Sequence, residues 1–528
     1  IPGFEDRLPD GAFVRAISTG TLEQITLRLG LLHALEAAGV CVWNSADAIE
    51  RCVDKAMALQ CFHRAGLPIP KSVTTEELQT AKAFASSLLQ DDGAVLKPLF
   101  GSQGNGVRRI HNPEEVFPSQ ELGGVYHLQR YIPTADAKPF SDLRLLVSGE
   151  RVIAGMKRSS PTWPTNVHQG GAPLAMDITP KLNNLAVRAA QAVGAGYAGI
   201  DLMMDKNGKP HLIEINSNPA WKGSQSVTEL NIAENLIEDF LKARAVTAIA
   251  TAFENACAHE LTAIKPGNVH IFRAGHRMTV DDFARSAMAS APFIAKSSLT
   301  VGQRIKAAVA ATNAAVNCNT NLGICLLCAP LAVAAQSHPL TPQELRSELA
   351  EVLESLTIQD AEDAYAAIRL ASPAGLGNAT KQDVNATPQV TLLATMALAA
   401  ERDRIANAYT NTYDDIFTHA LPKLEASLKE TSDTSQAVSR LYMSLLSKYP
   451  DSHIARKHGI ETARQVMQEA KQHMTASHQA LLDFDADLQQ RGLNPGTSAD
   501  LVVATLFAHE LLNPSASAPR HVYACLKS

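Results

Sequence analysis

The sequence of 528 residues has no excess of basic residues, no apolar run of membrane length and no clustered cysteines. Its formal net charge of −6 offers no electrostatic footprint for nucleic acid or for an anionic membrane surface. The longest nearly apolar run, Leu322 to Ala335, is too short to span a bilayer and indicates a buried helix. The eight cysteines lack disulfide-framework spacing, which favours a reducing compartment. We therefore expect a cytoplasmic protein that binds neither nucleic acid nor membranes.

The length exceeds what one hydrophobic core supports and suggests roughly three or four domains. Up to about residue 243, strand-like apolar runs alternate with helical ones. Two such runs, 199–204 and 211–215, flank Asn207-Gly208, which is a hairpin turn signal because both residues tolerate positive φ. Beyond Arg244, Ala/Leu/Glu/Lys-rich stretches repeat at helical spacing. The sequence predicts an α/β or α+β part followed by an all-α part, with the border near residues 240–248.

A glycine-rich loop, Lys97-Pro-Leu-Phe-Gly-Ser-Gln-Gly-Asn-Gly106, follows a lysine at the end of a predicted strand. Glycines let the backbone approach phosphates closely, and a lysine supplies mobile positive charge. The loop is not a Walker motif, because no Gly-Lys-Ser/Thr follows the glycines. Taken alone it is weak evidence, since most glycine-rich loops are simply turns.

Carboxylates on two neighbouring predicted strands form the second polar pattern of the first half. Asp201 lies in one strand, while Glu214 and Asn216 are two apart in the next and therefore share a face. Carboxylate and amide oxygens are hard ligands suited to Mg²⁺ that bridges nucleotide phosphates. The alternative is an exposed strand face with solvated acids. The metal site is favoured because Glu214 and Asn216 interrupt otherwise apolar strands.

Residues 12–243 resemble the ATP-grasp family, specifically the RimK-like amino-acid ligases, which include enzymes that add glutamate to ribosomal protein or to pterin cofactors. The ordered motifs that carry the resemblance are Asp54-Lys55, Gly66-Leu-Pro-Ile-Pro70, the Lys97 loop, Gln129-Arg-Tyr-Ile132, Asp142-Leu-Arg144, Lys157-Arg158, Trp163, Asn166, Gly170-Gly171, Gly199-Ile-Asp201 and Glu214-Ile-Asn-Ser-Asn-Pro219. The resemblance implies an α+β ATP-grasp fold over residues 53–243, preceded by a partial pre-ATP-grasp segment over 1–52.

The resemblance also implies roles for individual residues. Lys55 and Lys97, with Gly101, Ser102 and Gly104 of the loop, would contact nucleotide phosphates. Further implied roles are adenine contact by Gln129, Tyr131 and Ile132, metal binding by Asp201, Glu214 and Asn216, and an acyl-phosphate site at Arg144, Arg158 and Asn166. The implied cofactors are ATP with Mg²⁺ or Mn²⁺. The implied reaction phosphorylates a carboxylate with ATP, after which an amine displaces phosphate.

Polar clusters interrupt the helical half where a helical bundle would otherwise be apolar. Asp360 and Asp363 share a helix face, and Asn319 and Asn321 precede an apolar helix where an amide can cap the helix or coordinate a ligand. Taken singly, each cluster is a helix cap or a solvated face. Several in one bundle indicate a convergent polar site for metal and polyphosphate.

Residues 246–528 resemble the triphosphoribosyl-dephospho-coenzyme A synthase (CitG-like) family, in its less characterised archaeal-type branch. The motifs are Lys265-Pro-Gly-Asn-Val, Asn319-Thr-Asn-Leu-Gly-Ile, Ala367-Ile-Arg-Leu-Ala371, Gly375-Leu-Gly377, Glu401-Arg-Asp-Arg-Ile-Ala406, Ile454-Ala-Arg-Lys-His-Gly459 and Asn494-Pro-Gly-Thr-Ser-Ala-Asp-Leu501. The resemblance implies an all-α domain that binds ATP and Mg²⁺ and displaces adenine. The residues expected to serve it are Lys265, Asn268, Asn319, Asn321, Gly323 and Lys457 for the nucleotide, Glu260, Asp360 and Asp383 for metal, and Asp363 or His458 as general base.

The two resemblances together predict a bifunctional enzyme of cofactor biosynthesis: a carboxylate–amine ligase that adds glutamate, fused to a triphosphoribosyl-type transferase. One-carbon carriers of the tetrahydromethanopterin or methanofuran type are the expected pathway, with small-molecule substrates and an isologous dimer as the default assembly. The alternative is a protein glutamate ligase with a helical nucleotide-binding or assembly module. It would need an open groove that admits a peptide, whereas a cofactor ligase needs a deeper pocket.

Overall fold

A computed structural model describes residues 8–89, 92–101, 104–134, 138–163, 165, 170–273, 278–373 and 382–514. The chain divides into two compact units, residues 1–244 and 245–528. The first unit combines sheets with helices, and the described residues of the second form helices, turns and isolated bridges. The architecture is α+β in the first unit and all-α in the described part of the second, as the sequence predicts.

The elements of the first unit follow the alternation of strand-like and helical runs. In chain order they are β1 (Gly11–Phe13), α1 (Leu22–Ala37), β2 (Cys41–Trp43), α2 (Ala46–Val53), α3 (Lys55–Arg64), β3 (Ser72–Thr75), α4 (Leu78–Leu88), β4 (Ala94–Lys97), β5 (Arg108–Ile110), β6 (Tyr126–Arg130), β7 (Phe140–Ser148), β8 (Arg151–Ser160), β9 (Ala172–Ala175), α5 (Pro180–Val193), β10 (Tyr197–Met204), β11 (Pro210–Asn216), α6 (Lys222–Gln225) and the first part of α7 (Ile232–Thr262).

Two antiparallel sheets dominate this unit. The smaller has the strand order β3-β6-β4-β5, and the larger has the order β11-β10-β7-β8-β9, while β1 and β2 form a separate parallel pair. The hairpin between β10 and β11 turns at Asn207-Gly208, where Gly208 has a φ of 72°. The Asp205 carboxylate accepts hydrogen bonds from the N–H groups of Asn207 and Lys209, both at 2.9 Å. The turn sets the pairing of Leu202 to Met204 with β11, and a register shift between Asp201 and Leu202 then brings Asp201 opposite Glu214.

Asn44 ties the start of the chain to the larger sheet. Its Nδ2 donates to the carbonyl oxygens of Tyr197 (2.7 Å) and Ser217 (2.6 Å). Its Oδ1 accepts from the N–H groups of Gly196 (2.7 Å) and Tyr197 (3.0 Å). The side chain is fully buried, so the amide uses its full hydrogen-bonding capacity on backbone groups at the ends of β10 and β11.

The second unit contains the rest of α7 and a bundle of further helices. They are α8 (Val280–Ala295), α9 (Val301–Val316), α10 (Leu322–Ala334), α11 (Pro342–Glu354), α12 (Ile358–Ala371), α13 (Leu392–Ala397), α14 (Arg404–Thr410), a π-helix (Asp415–Ala420), α15 (Leu421–Glu430), α16 (Thr434–Lys448), α17 (Ser452–His458), α18 (Ile460–Gln472), α19 (His478–Gln490) and α20 (Gly496–Leu512).

Helix α10 lies at the centre of the second unit's core. Eleven of its thirteen residues are buried, which is the fate expected of a helix that is apolar on every side. No single described helix has both the length and the apolar character needed to cross a membrane, although the segments Leu322–Ser337 and Pro342–Glu354, bent by 112°, meet that test only as a pair.

Candidate functional site

A cleft lined by residues of both sheets contains most of the predicted ligase residues. Its empty volume, open solvent included, is about 1000 Å³. Among the predicted site residues that line it are Lys55, Lys97, Gly101, Gly104, Gln129, Tyr131, Ile132, Arg158, Asp201 and Glu214. The structure therefore brings together positive charge from one sheet and carboxylates from the other.

Strand register places the carboxylates of the larger sheet in one row. Asp201 of β10 lies opposite Glu214 of β11 on one side and opposite Arg144 of β7 on the other. The Arg144 guanidinium donates to both Asp201 oxygens, from Nε at 2.7 Å and from a terminal nitrogen at 2.6 Å. Arg158 lies 3.1 Å from Asp201 Oδ2. Such two-pronged contacts hold a carboxylate in a fixed direction.

Neighbouring arginines change the pKa values of the aspartates in this row. Burial alone would raise the pKa of Asp201, but Arg144 and Arg158 lower it to about 2. Asp142 was not among the predicted site residues, yet it binds Arg158, which donates from Nε at 2.7 Å. Burial raises the pKa of Asp142, against the effect of Arg158. The sequence signal for Asp142 was its position two residues before Arg144, which places both on one strand face.

The two lysines approach the cleft from the other side. Lys97, buried at the end of β4, donates to Gln129 Oε1 at 2.6 Å. Lys55 donates to the backbone oxygens of Leu99 (3.3 Å) and Gly101 (3.0 Å) and lies 3.8 Å from Glu214 Oε1. Lys55 therefore contacts both the glycine-rich loop and the acidic row.

Burial lowers the pKa of Lys97 to about 8, although Glu214 opposes this change. His127 is the register partner of Lys97, and sequence reasoning missed it. Burial, followed by the charges of Lys97 and Lys55, lowers the pKa of His127 to about 3. The imidazole is therefore neutral at ordinary pH and adds no second positive charge beside Lys97.

We predict that ATP binding takes up a proton near pH 8–9. Free Lys97 loses its proton as the pH rises through about 8, and nucleotide phosphates favour its charged form. Calorimetric titrations in two buffers of different ionisation enthalpy should show an uptake that is small at pH 7 and approaches about one proton at pH 9. The matched variant Lys97→Arg keeps its charge at this pH and should show no such uptake. Equal uptake by both proteins would contradict the assignment.

Among the described residues, Arg144 and Asn216 are predicted site residues that do not line the cleft. Asn216 ends β11 and is half-buried, and its Nδ2 has no hydrogen-bond partner among the described residues. Ser102 and Asn166 lie outside the described residues. Asn216 shares a strand face with Glu214, so it extends the acidic row by one residue.

The donor set of the first unit suits a magnesium ion. Asp201 and Glu214 face each other across neighbouring strands, and Asn216 follows on the same face. Two carboxylates and an amide oxygen, close to two lysines, match the preference of Mg²⁺ for hard oxygen ligands shared with phosphates. Both Asp201 oxygens already accept from Arg144, so Asp201 can serve such an ion only by sharing this partner, whereas Glu214 and Asn216 have no arginine partner in the described part of the chain.

In the second unit, Glu260, Lys265 and Asn268 form a buried cluster at the end of α7. The Lys265 ammonium donates to Glu260, and it also donates to Asn268 Oδ1 at 3.2 Å. Glu260 and Lys265 are 3% and 0% exposed. Burial raises the pKa of Glu260 and lowers that of Lys265, so their pairing must offset the loss of hydration.

The N-terminal ends of α14, α17 and α20 meet through capping contacts. The N–H of Arg404 in α14 donates to Ser452 Oγ of α17 at 2.9 Å. Asp451, the N-cap of α17, accepts from the N–H of Ser498 in the first turn of α20 at 2.8 Å. Helix N-termini carry partial positive charge, and here the Asp451 carboxylate meets that charge at both α17 and α20.

Asp500 connects these helix ends to α10 and to the buried pair. A Cβ on Gly323, in the first turn of α10, would collide with Asp500 Oδ2, so glycine permits this approach. Burial, followed by the negative charges of Asp451 and Glu260, raises the pKa of Asp500 well above its usual range. Part of Asp500 remains exposed. Thus Glu260, Lys265, Gly323 and Asp500 belong to one polar region.

The two acidic residues of α12 that were predicted as site residues, Asp360 and Asp363, bind groups of the protein itself. Asp360 accepts from the N–H groups of Gly302 (2.8 Å) and Thr357 (2.9 Å), and from Thr357 Oγ1 (2.6 Å). These donors occupy both carboxylate oxygens of Asp360. The residue therefore caps helices, and the prediction that it is a metal ligand is not supported by its contacts. Asp363 accepts from Lys306 Nζ at 2.7 Å.

The remaining predicted residues are divided among several places. Asn319 Oδ1 accepts from the N–H of Leu322 and so caps α10. Asn321 is buried and donates to Ser290. Asp383 accepts from the N–H of Asn385 in a turn. Lys457 and His458 are exposed at the end of α17. The expected single cavity is therefore not assembled from all of these residues, and Gly375 and Gly377 lie outside the described residues.

The first unit presents a cleft with paired lysines and acids, and the second presents a buried polar region. Residues 52–240 match the family model of the RimK-like ATP-grasp domain, and residues 246–518 match the CitG model, described as ATP:dephospho-CoA triphosphoribosyl transferase. The chain belongs to both families. It is an enzyme with a ligase half and a transferase half, and its ATP-grasp half uses ATP with Mg²⁺.

Similar proteins match the first half. The tetrahydromethanopterin:alpha-L-glutamate ligase of Methanococcus maripaludis is 34% identical over 44% of this chain and 78% of its own length. The enzyme of the same name from Methanocaldococcus jannaschii is 32% identical over 45% of this chain and 81% of its own length. A RimK domain ATP-grasp protein structure from Sphaerobacter thermophilus is 19% identical, with a TM-score of 0.33, over 44% of this chain and 81% of that chain.

Proposed function

We propose that the first unit joins L-glutamate through its amine to a carboxylate of a tetrahydromethanopterin-type cofactor, with conversion of ATP to ADP and phosphate. The observation that carries this proposal is the pairing of Asp201 and Glu214 across two strands in a cleft that also contains Lys55 and Lys97. The names of the relatives support glutamate and a pterin carrier as substrates. Mn²⁺ would fit the same oxygen donors as Mg²⁺.

In the proposed reaction, a carboxylate oxygen of the cofactor attacks the γ-phosphorus of ATP, and ADP leaves. The amine then attacks the acyl carbon, and phosphate leaves. Lys55 and Lys97 neutralise phosphate charge, while Arg144 and Arg158 keep Asp201 ionised and aimed into the cleft. Mg²⁺, held by Asp201, Glu214 and Asn216, would withdraw charge from the phosphate oxygens.

We propose for the second unit that an acceptor oxygen or nitrogen attacks the ribose anomeric carbon of ATP and that adenine leaves. Lys265 would balance triphosphate charge and Glu260 would serve the metal, which requires both to exchange their mutual buried contact for contacts with the ligand. Asp363 remains the preferred general base, and its carboxylate accepts a hydrogen bond from Lys306 Nζ at 2.7 Å. His458 is the second candidate for this role.

Product analysis tests both proposals on the full chain. With ATP, Mg²⁺, L-glutamate and tetrahydromethanopterin, we expect ADP, phosphate and a product one glutamate heavier. With ATP, Mg²⁺ and dephospho-coenzyme A, we expect free adenine and a triphosphoribosylated product. Glutamate-independent ADP formation without ligation would contradict the ligase proposal. Release of ADP or AMP, with no adenine for any acceptor, would contradict the transferase proposal.

A further inference from the structure

Arg15, just after β1, is held in place on an aromatic surface of the first unit. Its guanidinium carbon lies 3.7 Å from the centre of the Trp221 ring. Trp221 packs against a cluster of buried aromatic and aliphatic residues. The backbone is fixed as well, because the carbonyl oxygen of Val14 accepts from Asn218 Nδ2 at 2.7 Å. A stacked guanidinium loses little further freedom when its N–H groups bind a ligand.

An open depression of about 900 Å³ adjoins Arg15 and is also lined by Trp221, Lys222 and Gln225. The Gln225 amide is already engaged with the carbonyl oxygen of Leu230 (2.9 Å) and the N–H of Ile232 (3.1 Å). Among the described residues, neither Arg15 nor Lys222 forms an ion pair with a carboxylate. The depression therefore presents two positive charges without acidic partners.

The depression follows directly from the strand that carries the predicted metal ligands. The chain leaves β11 at Asn216 and reaches Trp221 within five residues. Gly199 is the register partner of Asn216. Pro219 packs directly over it, because a Cβ atom added to Gly199 would lie 2.9 Å from the Pro219 side chain. The same Cβ position on Gly199 would lie 3.8 Å from Nε of Arg144, the residue that binds Asp201. Arg15 and Lys222 thus belong to the edge of the sheet where the acidic row ends.

We propose that Arg15, Trp221 and Lys222 form a subsite for a carboxylate that is bound but not consumed by the ligase. This inference rests on the proposed ligase function. L-Glutamate contributes only its amine to the new amide, so both of its carboxylates stay ionised and need positive partners. The arginines of the cleft, Arg144 and Arg158, are already engaged with Asp201 and Asp142, whereas Arg15 and Lys222 have no such carboxylate partner among the described residues. A guanidinium fork and an ammonium match a carboxylate, and the indole shields one face of the fork from water.

Kinetics of the full-length enzyme test the subsite. Arg15→Ala and Lys222→Ala should each raise the KM for L-glutamate by about tenfold or more, with little change in kcat or in the KM for ATP. Arg64→Ala and Lys209→Ala remove matched exposed charges elsewhere and should change nothing. If the KM for tetrahydromethanopterin rises and that for glutamate does not, the bound carboxylate belongs to the acceptor. If neither KM moves, the subsite is wrong.

A binding measurement separates this proposal from the ligase proposal. Trp221 lies in the depression, so titration with L-glutamate or with glutarate should change tryptophan fluorescence in the wild type. The change should be lost in Trp221→Phe, and Arg15→Ala should shift it to about tenfold higher concentration. If the wild type forms no ADP but shows this Arg15-dependent change, the ligase proposal fails and the subsite stands. A fluorescence response that is the same with and without Arg15 would overturn the subsite even if ADP forms normally.

Discussion

Glu214→Gln is expected to lower ADP formation by about 10²- to 10³-fold, the range found when one charge-stabilising group is removed from an active site. Glutamine keeps the size of the side chain but removes the negative charge that faces Asp201 and Lys55. Mg²⁺ prefers a carboxylate, so the nucleotide phosphates would lose their bridge to β11. ADP formation, measured with L-glutamate and tetrahydromethanopterin present, gives the rate.

The design of this test separates charge loss from misfolding. Glu229→Gln changes an exposed acid of the same unit and should keep the wild-type rate. Adenine release from the second unit should also be unchanged in Glu214→Gln, because that unit has its own core. An ADP rate within about threefold of the wild type would mean that Glu214 does not serve the phosphates.

Lys265→Met is expected to destabilise the second unit by about 3–5 kcal/mol, because it leaves the Glu260 carboxylate buried and unpaired. The melting temperature of that unit should fall by roughly 5–15 °C. Adding Glu260→Leu should restore most of the lost stability, because an apolar pair of similar volume loses no hydration of charged groups when it is buried. Thermal and urea unfolding, followed by circular dichroism of the helices, measure both variants.

The exposed pair Arg464–Glu461 provides the matched control. Its atoms approach to 2.6 Å, but its side chains are 58% and 80% exposed. Arg464→Met should therefore cost less than about 1 kcal/mol. A Lys265→Met variant as stable as Arg464→Met would show that the Glu260 region admits water, and it would remove the basis for treating the pair as buried.

Much of the first unit could be predicted because its signals are local. A two-residue spacing places Glu214 and Asn216 on one face, and Asn207-Gly208 marks the turn between their strand and that of Asp201. The register shift that brings Asp201 opposite Glu214 has no such local signal. The lysine before the glycine-rich loop needed no tertiary information either. Family resemblance supplied the role of Lys55, which lies far from the other site residues in sequence.

Contacts between residues of distant strands and helices could not be predicted from local sequence patterns. The Asp142–Arg158 pair depends on the register of β7 and β8, which no short pattern reveals. The capping role of Asp360 depends equally on the position of Gly302, 58 residues earlier. Polar residues at helix ends look alike in a sequence whether they bind a ligand or a neighbouring helix. The residues grouped by sequence in the second unit were therefore separated by the structure.

The four hydrogen bonds of Asn44 have a consequence for where the ligase half begins as a folding unit. A piece trimmed to the family match, residues 52–240, would leave the backbone groups at Gly196, Tyr197 and Ser217 without their partner. Water would replace Asn44 at these groups, so each lost hydrogen bond costs about 0.5–1.5 kcal/mol, and four of them are a sizeable part of the stability of a typical domain. A ligase half that folds on its own therefore has to begin upstream of residue 52, where the family match starts, and has to include Asn44.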